Sequence, residues 1–386
     1  MTAPEVLVIG GGIAGAGAAF MLAGRARVTL LEAETQCGYH STGRSAASFT
    51  QNYGTPAIRR LATASRAFLA TPPAGFSDAP LMAPRGMITI ARQDQLDALA
   101  DELASAREFA PDVAPIPVAE VIARVKILRP GYVASAIIEP QSMELNVTAL
   151  HQGFLRGARR QGARIVTDAR ATGIARAGGT WRVETASGTF AADVLVNAAG
   201  AWADQVAAMA GVAPLGLAPK RRTALLVPVP HDIDTRFWPL VNDVGGEFYF
   251  KRDAGALFLS PADATPSEPT DAQPDELDIA IAIDRFQAAT TMPVARVQRA
   301  WAGLRTFAAD GSPVAGFDAR SDNFFWLAGQ GGYGIKTSPA LSLLAASLIL
   351  DRRFPAQLAD AGLSADDLSP ARLASHHDSP LAHRLN

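Results

Sequence analysis

Six residues near the start, Gly10-Gly11-Gly12-Ile13-Ala14-Gly15, restrict what this chain can fold into more than any other feature. They fit G-x-G-x-x-G. An apolar run, residues 5–9, precedes them and an Ala-rich stretch to about Ala23 follows. A second apolar run, residues 27–31, ends at Glu32. Buried strand, helix and strand within about 30 residues make a βαβ unit, so the two strands pair in parallel. The glycines serve the tight turn, the backbone's approach to a pyrophosphate, and the close packing of helix on strand. The helix start offers free N–H groups and the positive end of its dipole to phosphate. Glu32 stands where a carboxylate accepts from ribose hydroxyls, and its charge disfavours a 2′-phosphate. The motif leaves FAD and NAD both open.

Similar strand–helix signals recur at 163–200 and 324–350. This implies an α/β fold: one Rossmann-like nucleotide domain assembled from discontinuous segments, 1–85, 144–218 and 303–370. The stretches between them, 86–143 and 219–302, are expected to form an α+β substrate domain with a mixed or antiparallel sheet. Residues 371–386 read as a loosely held polar tail. Helices are predicted over 55–71, 94–109, 118–124, 148–161, 275–290 and 337–350, and a loop over 263–274.

Composition narrows the partners. Lys and Arg number 35 against 37 Asp and Glu, and that balance gives no electrostatic case for nucleic acid or an anionic membrane. The single cysteine, Cys37, excludes an internal disulfide and removes thiolate metal sites; it reads as a small loop residue rather than a reactive thiol. The apolar stretch 6–23 has no basic residue before it and carries five glycines, which argues against a signal peptide or membrane span. A cytoplasmic, soluble protein is expected.

Three further strings carry a resemblance: Tyr39-His40-Ser41-Thr42-Gly43-Arg44-Ser45-Ala46-Ala47, Asn197-Ala198-Ala199-Gly200-Ala201-Trp202, and Gln330-Gly331-Gly332-Tyr333-Gly334-Ile335. With the glycine turn they resemble the D-amino acid oxidase superfamily, and within it the bacterial FAD-dependent D-arginine dehydrogenases. The likeness runs from Val6 to about Leu373. It implies noncovalent FAD held by Gly10, Gly12, Ile13, Ala14, Gly15, Glu32 and Ala33; by Ser41, Gly43, Arg44, Ser45, Ala46 and Ala47; by Ala171, Ala198, Gly200 and Trp202; and by Gly303, Arg305, Gly331, Gly332, Tyr333, Gly334, Ile335 and Lys336. A small-residue loop such as 41–47 can lie flat against an isoalloxazine, and N–H groups after the 331–334 turn can face its electron-rich edge. Lys336 matches the sarcosine oxidase branch and is read as a cation at the flavin edge. The bland alternative is an exposed lysine in a first helical turn.

The resemblance also implies a substrate end. An amino acid carboxylate needs a fixed cation, best a planar Arg. Arg222 and Arg305 match the carboxylate-binding pair; their alternatives are a solvated basic turn with Lys220 and Arg221, and a structural pair with Asp310. Tyr53 and Tyr249 match aromatic walls, where a bare reading would make both core tyrosines. The Gly332 carbonyl is expected to meet the substrate amine, and Ser48, Thr50, Leu240 and Asn242 to bound the side chain. The acid that meets D-arginine in the basic-substrate enzymes is missing from Pro84-Arg85-Gly86-Met87; a second acid is Gly246 here, with Glu247 as a neighbouring substitute. A weakened preference for basic side chains follows. The implied reaction is oxidation of a D-amino acid to an imino acid, then a 2-oxo acid, by hydride transfer to flavin N5. Phe258 stands where sarcosine oxidases carry a lysine, which favours a quinone or carrier over oxygen as electron acceptor. The rivals are a relative acting on a secondary amine or a 2-hydroxy acid, an NAD-dependent dehydrogenase, and a non-catalytic flavin subunit.

Overall fold

The computed structural model describes residues 3–373. One sheet has six strands with Glu5–Ile9 at its centre. Arg27–Leu31 and Val194–Asn197 flank it, Arg164–Val166 and Phe324–Ala328 lie outside these, and Val314–Phe317 closes one edge. Five of the strands run parallel; only Val314–Phe317 is antiparallel. Their nearly continuous apolar runs are what a sheet covered on both faces requires.

Helices Ile13–Ala23, Val147–Arg160 and Gly334–Asp351 stack on one another beside this sheet. Small residues bring them close: a Cβ on Gly17 would lie 2.1 Å from Ser342 Oγ. The other face carries Trp181, Phe324 and Trp326 in a core shared with the meander Ala171–Ala177, Thr180–Thr185 and Gly188–Ala192.

A second, nine-stranded sheet is mixed, with Met87–Ala91 and Leu240–Asp243 parallel and its other pairs antiparallel. Its long strand Ala218–Pro228 pairs with Arg299–Phe307 and Ala256–Ser260. Alternation decides its two faces. Leu225, Val241, Phe250, Leu257 and Leu259 point into a core with Phe286 of helix Glu276–Ala289. Their sequence neighbours point the other way.

Three expectations need correction. Residues 220–222 are not a turn; they lie inside strand Ala218–Pro228, extended by its pairing with Arg299–Phe307. The last long helix begins at Gly334, three residues before 337, with Tyr333 as its N-cap. Pro339 is tolerated inside it because Ser338 Oγ donates to the Ile335 carbonyl that a backbone N–H at 339 would have served. The tail does not loosen at 371: Arg372 pairs with Asp310 at 2.7 Å and Leu373 is buried. The remainder of that tail lies outside the described residues.

Candidate active site

A cavity of about 410 Å³ opens between the two sheets, within the usual size for small-molecule sites, roughly 300–1,000 Å³. At one end lies the glycine turn, at the carboxyl ends of the parallel strands, where open α/β sheets place their ligands. Gly10, Gly12, Ile13 and Ala14 line it. Gly10 has φ +108°, and a Cβ there would lie 2.4 Å from the Ala198 carbonyl oxygen. Gly15 is behind the wall; its Cβ would meet the Gly10 carbonyl at 1.9 Å. The turn is held from both sides. Gly11 N–H donates to Glu32 Oε2 at 2.8 Å, and His151 Nε2 meets the Gly11 carbonyl oxygen at 2.8 Å. Ile13 N–H donates to Thr42 Oγ1.

The loop 38–47 forms the next wall, with Ser41, Arg44, Ser45 and Ala46 facing the cavity. It is fastened to the Arg299–Phe307 strand: Ser41 Oγ donates to the Leu304 carbonyl, and Trp301 Nε1 to that of Arg44. The Arg44 guanidinium is engaged by the Ala272 and Ala302 carbonyls and by Asp271, so it shapes the wall rather than offering a free cation. Gly43 closes the turn by donating to the Gly38 carbonyl, and neither it nor Ala47 lines the cavity. Glu32, Ala33, Ala171, Ala198, Gly200 and Trp202 complete this end. Among the described residues, no group of three or more His, Cys, Asp or Glu is placed to hold a metal. Cys37 is partly buried and its thiol is pushed up to about 11, chiefly by burial with Glu32 beside it, which makes it a poor nucleophile.

The far end is built by strand alternation. Arg222, Tyr249, Gly303 and Arg305 project from the sheet face opposite its apolar core, and all four line the cavity. Gly303 sits directly across from Arg222 and Lys220 across from Arg305. Arg305 Nη2 lies 3.4 Å from Tyr249 Oη, and a Cβ on Gly332 would come within 2.9 Å of Arg305 Nη1. Arg305 has no ion pair among the described residues, and Asp310, its alternative partner, is taken by Arg372. Arg222 donates from Nε to the Asp263 carbonyl, with that residue's carboxylate 3.9 Å away. Arg221 pairs instead with Asp278 and Asp275. Burial pushes the Tyr249 phenol up, but Arg305 and Arg222 outweigh it and hold the group below its ordinary value. The local potential is therefore positive and calls for an anion.

Gly331, Gly332, Gly334 and Ile335 line the cavity beside these groups. Tyr333 and Lys336 do not. Lys336 is not the exposed lysine of the alternative reading: it is 4% exposed, and its ammonium donates to the carbonyls of Thr50 and Tyr53. Tyr53 is 51% exposed, not a core tyrosine, and packs edge-on against Tyr333. Ser48, Thr50, Leu240 and Asn242 also lie outside the cavity wall, although Asn242 is the register partner of Tyr249. Glu247 is not available as a substitute acid, since Arg92 pairs with it at 2.8 Å. The wall includes residues with no earlier role assigned to them, among them Gln205, Met209, Thr306 and Gln330. Only the Gln330 position carried a sequence signal, inside the glycine-rich string.

This fold and cavity define a dinucleotide-binding α/β protein. The chain belongs to the DAO family: the family profile described as FAD dependent oxidoreductase matches residues 5–348. FAD-dependent oxidoreductase domain-containing protein 1 of Xenopus laevis is 28% identical over 183 residues, covering 42% of this chain. The match spans only 35% of that relative's length. Among solved structures, L-proline dehydrogenase from P. horikoshii is similar with a TM-score of 0.83 and 21% identity, over 97% of this chain and 98% of the other. Glycine oxidase from Geobacillus kaustophilus gives 0.81 and 24%, over 92% and 96%. At these identities the likeness shows the fold.

The residues fit FAD. The turn at Gly10 lacks the Cβ that would strike Ala198, the start of helix Ile13–Ala23 lines the same cavity through Ile13 and Ala14, and Glu32 lines it with its carboxylate fixed by the Gly11 and Glu34 amides. Gly10 to Ala14 and Glu32 would hold the ADP part, and the 41–46 and 331–335 segments the isoalloxazine.

Tyr249 gives a pH test. With its phenol lowered by two cations, ionisation places a negative charge where an anion is to bind. The alkaline fall of kcat/KM is expected to move to higher pH in Tyr249→Phe. An unchanged alkaline limb in the variant shows that another group governs it.

Proposed function

We propose that this protein oxidises the amine-bearing carbon of a small amino acid, most specifically a D-amino acid with a neutral or polar side chain. The observation that carries the reading is the Arg222–Tyr249–Arg305 group at one end of a cavity whose other end is the glycine turn. Two guanidiniums, one without an ion pair among the described residues, suit a carboxylate. Bound FAD supplies the acceptor for the electron pair of the broken Cα–H bond.

The chain's own residues do the rest. Arg305 and Arg222 clamp the carboxylate and thereby fix the α-carbon, an orientation effect. Tyr249 adds its phenol, and Phe258, stacked on it at 5.8 Å between ring centroids, excludes water. The Gly332 carbonyl is the acceptor assigned to the substrate amine. The ammonium proton passes to water or a weak base before the α-hydrogen leaves, since hydride transfer needs no strong base and, among the described residues, no carboxylate or imidazole lines this end.

The D configuration rests on the resemblance to D-arginine dehydrogenases. The weakened preference for basic side chains rests on the cavity: its acids Glu32 and Glu34 lie at the dinucleotide end, and Glu247 is paired with Arg92. Phe258 in place of a lysine supports a quinone or protein carrier as oxidant. The similarity to a proline dehydrogenase keeps a secondary amine as the second reading. Anaerobic flavin bleaching across D- and L-amino acids, L-proline, N-methylglycine and 2-hydroxyglutarate separates these. D-amino acids with neutral side chains are expected to react fastest; D-arginine leading by a wide margin, or a 2-hydroxy acid leading, overturns the reading.

A further inference from the structure

Behind the cavity, the described residues bury an ammonium that the chemistry above does not use. Lys336 belongs to the first turn of helix Gly334–Asp351, directly after the Gly331–Gly332 turn that packs on Arg305. Its Nζ donates to Thr50 O at 2.9 Å and to Tyr53 O at 2.8 Å. It also lies 5.6 Å from the centre of the Tyr53 ring and 5.4 Å from that of Tyr333. Across the Thr50 turn stands a second buried charge: Thr50 Oγ1 donates to Glu139 Oε2 at 2.8 Å, and Glu139 is 4% exposed. Burial pushes Lys336 down to about 7 and Glu139 up to about 7, and each is opposed by the other's charge. A buried charge is retained at a cost unless partners satisfy it, and here the partners are two carbonyls, two rings and a carboxylate.

We propose that Lys336 is a positioning residue that pins the Thr50–Tyr53 turn, and with it the Tyr53–Tyr333 ring pair, to the helix that follows the Gly331–Gly332 segment packed on Arg305. The link is short at both ends. On one side it is the helix's first turn, three residues after Tyr333. On the other it is the backbone of the turn itself, so the ammonium sets main-chain position rather than one rotamer. Glu139 anchors the same turn from strand Ser135–Glu139 of the second sheet. The turn is thus tied to both halves of the site through one residue pair. The effect on substrate rests on the amino acid reading above; the pinning itself does not.

The test is hydrogen exchange and steady-state kinetics on FAD-loaded wild type, Lys336→Met and Lys336→Gln. In Lys336→Met the amides of 50–54 are expected to exchange about tenfold faster or more, while the strands Glu5–Ile9 and Phe324–Ala328 keep their protection. KM is expected to rise about tenfold with kcat within roughly threefold, and Gln, which donates to both carbonyls, is expected to recover most of the protection. Unchanged exchange at 50–54, or loss of protection spread evenly through both sheets, overturns the proposal. Should Lys336→Met not fold, Glu139→Gln must loosen the same segment, and unaltered exchange there overturns it equally. A wild type whose flavin no amino acid, primary or secondary, reduces ends the functional reading, while the exchange result still decides the role of Lys336.

Discussion

Arg305→Met is expected to retain FAD while its kcat/KM for the best amino acid falls roughly 10²- to 10³-fold, the equivalent of about 3–4 kcal/mol. The size follows from its surroundings. The guanidinium has no ion pair among the described residues, is aimed at the cavity by strand alternation, and is crowded by the Gly332 backbone on one side and Tyr249 on the other. Water cannot replace a planar two-point donor there without loss of orientation. Met keeps the volume of the stem and removes only the charge and donors. Flavin absorbance measures occupancy, and rapid-mixing reduction measures the chemical step. A loss below about threefold means that the anion is not bound at this place.

Gly10→Ala is expected to leave a folded protein whose FAD occupancy drops at least tenfold. Two costs combine at this position. Its φ of +108° is a region that L side chains rarely adopt, and the new methyl would lie 2.4 Å from the Ala198 carbonyl oxygen. Strain of this kind costs about 1–3 kcal/mol, and overpacking costs a similar amount. The chain relieves both by shifting the turn, which moves the amides meant for phosphate. Gly178→Ala is the control: its φ is +58°, nothing lies within 4 Å of the added carbon, and it is outside the cavity wall. Flavin content per chain and far-ultraviolet circular dichroism separate loss of cofactor from loss of fold. Equal flavin content in Gly10→Ala and wild type removes the glycine turn from the cofactor site.

What the sequence disclosed, and what it withheld, follows from the range of each interaction. Strands 5–9, 27–31 and 324–328 were legible because each is a short apolar run bounded by glycine or a charge. Helices 118–124 and 148–161 were legible for a similar reason, their periodicity and local boundaries. The start of helix Gly334–Asp351 was not, since Gly331, Gly332 and Gly334 read as loop and the first turn is secured by tertiary contact. Arg222 illustrates the same limit. As Lys220-Arg221-Arg222 it reads as a basic turn, and only pairing with Arg299–Phe307 shows that alternate residues face opposite ways. That alternation sends Arg221 to Asp278 and Arg222 to the cavity. The burial of Lys336 was hidden for the converse reason: its partners are two main-chain carbonyls, which no residue type advertises. The pairings Arg92–Glu247 and Arg372–Asp310 join positions far apart in the chain, so the loss of Glu247 and Asp310 as partners for the site became visible only in three dimensions.

The centre of the parallel sheet has a consequence for biosynthesis. Val6 pairs with Val194, and Leu195 with Phe324, so strand Glu5–Ile9 waits for one neighbour until residues 194–197 have been made. The Gly331–Ile335 wall arrives later still. A nascent polypeptide therefore carries uncovered apolar edges while the residues between these strands are made, the condition under which slow, non-local assembly invites aggregation and recruits chaperones. The flavin site is complete only once the Gly331–Ile335 wall has left the ribosome.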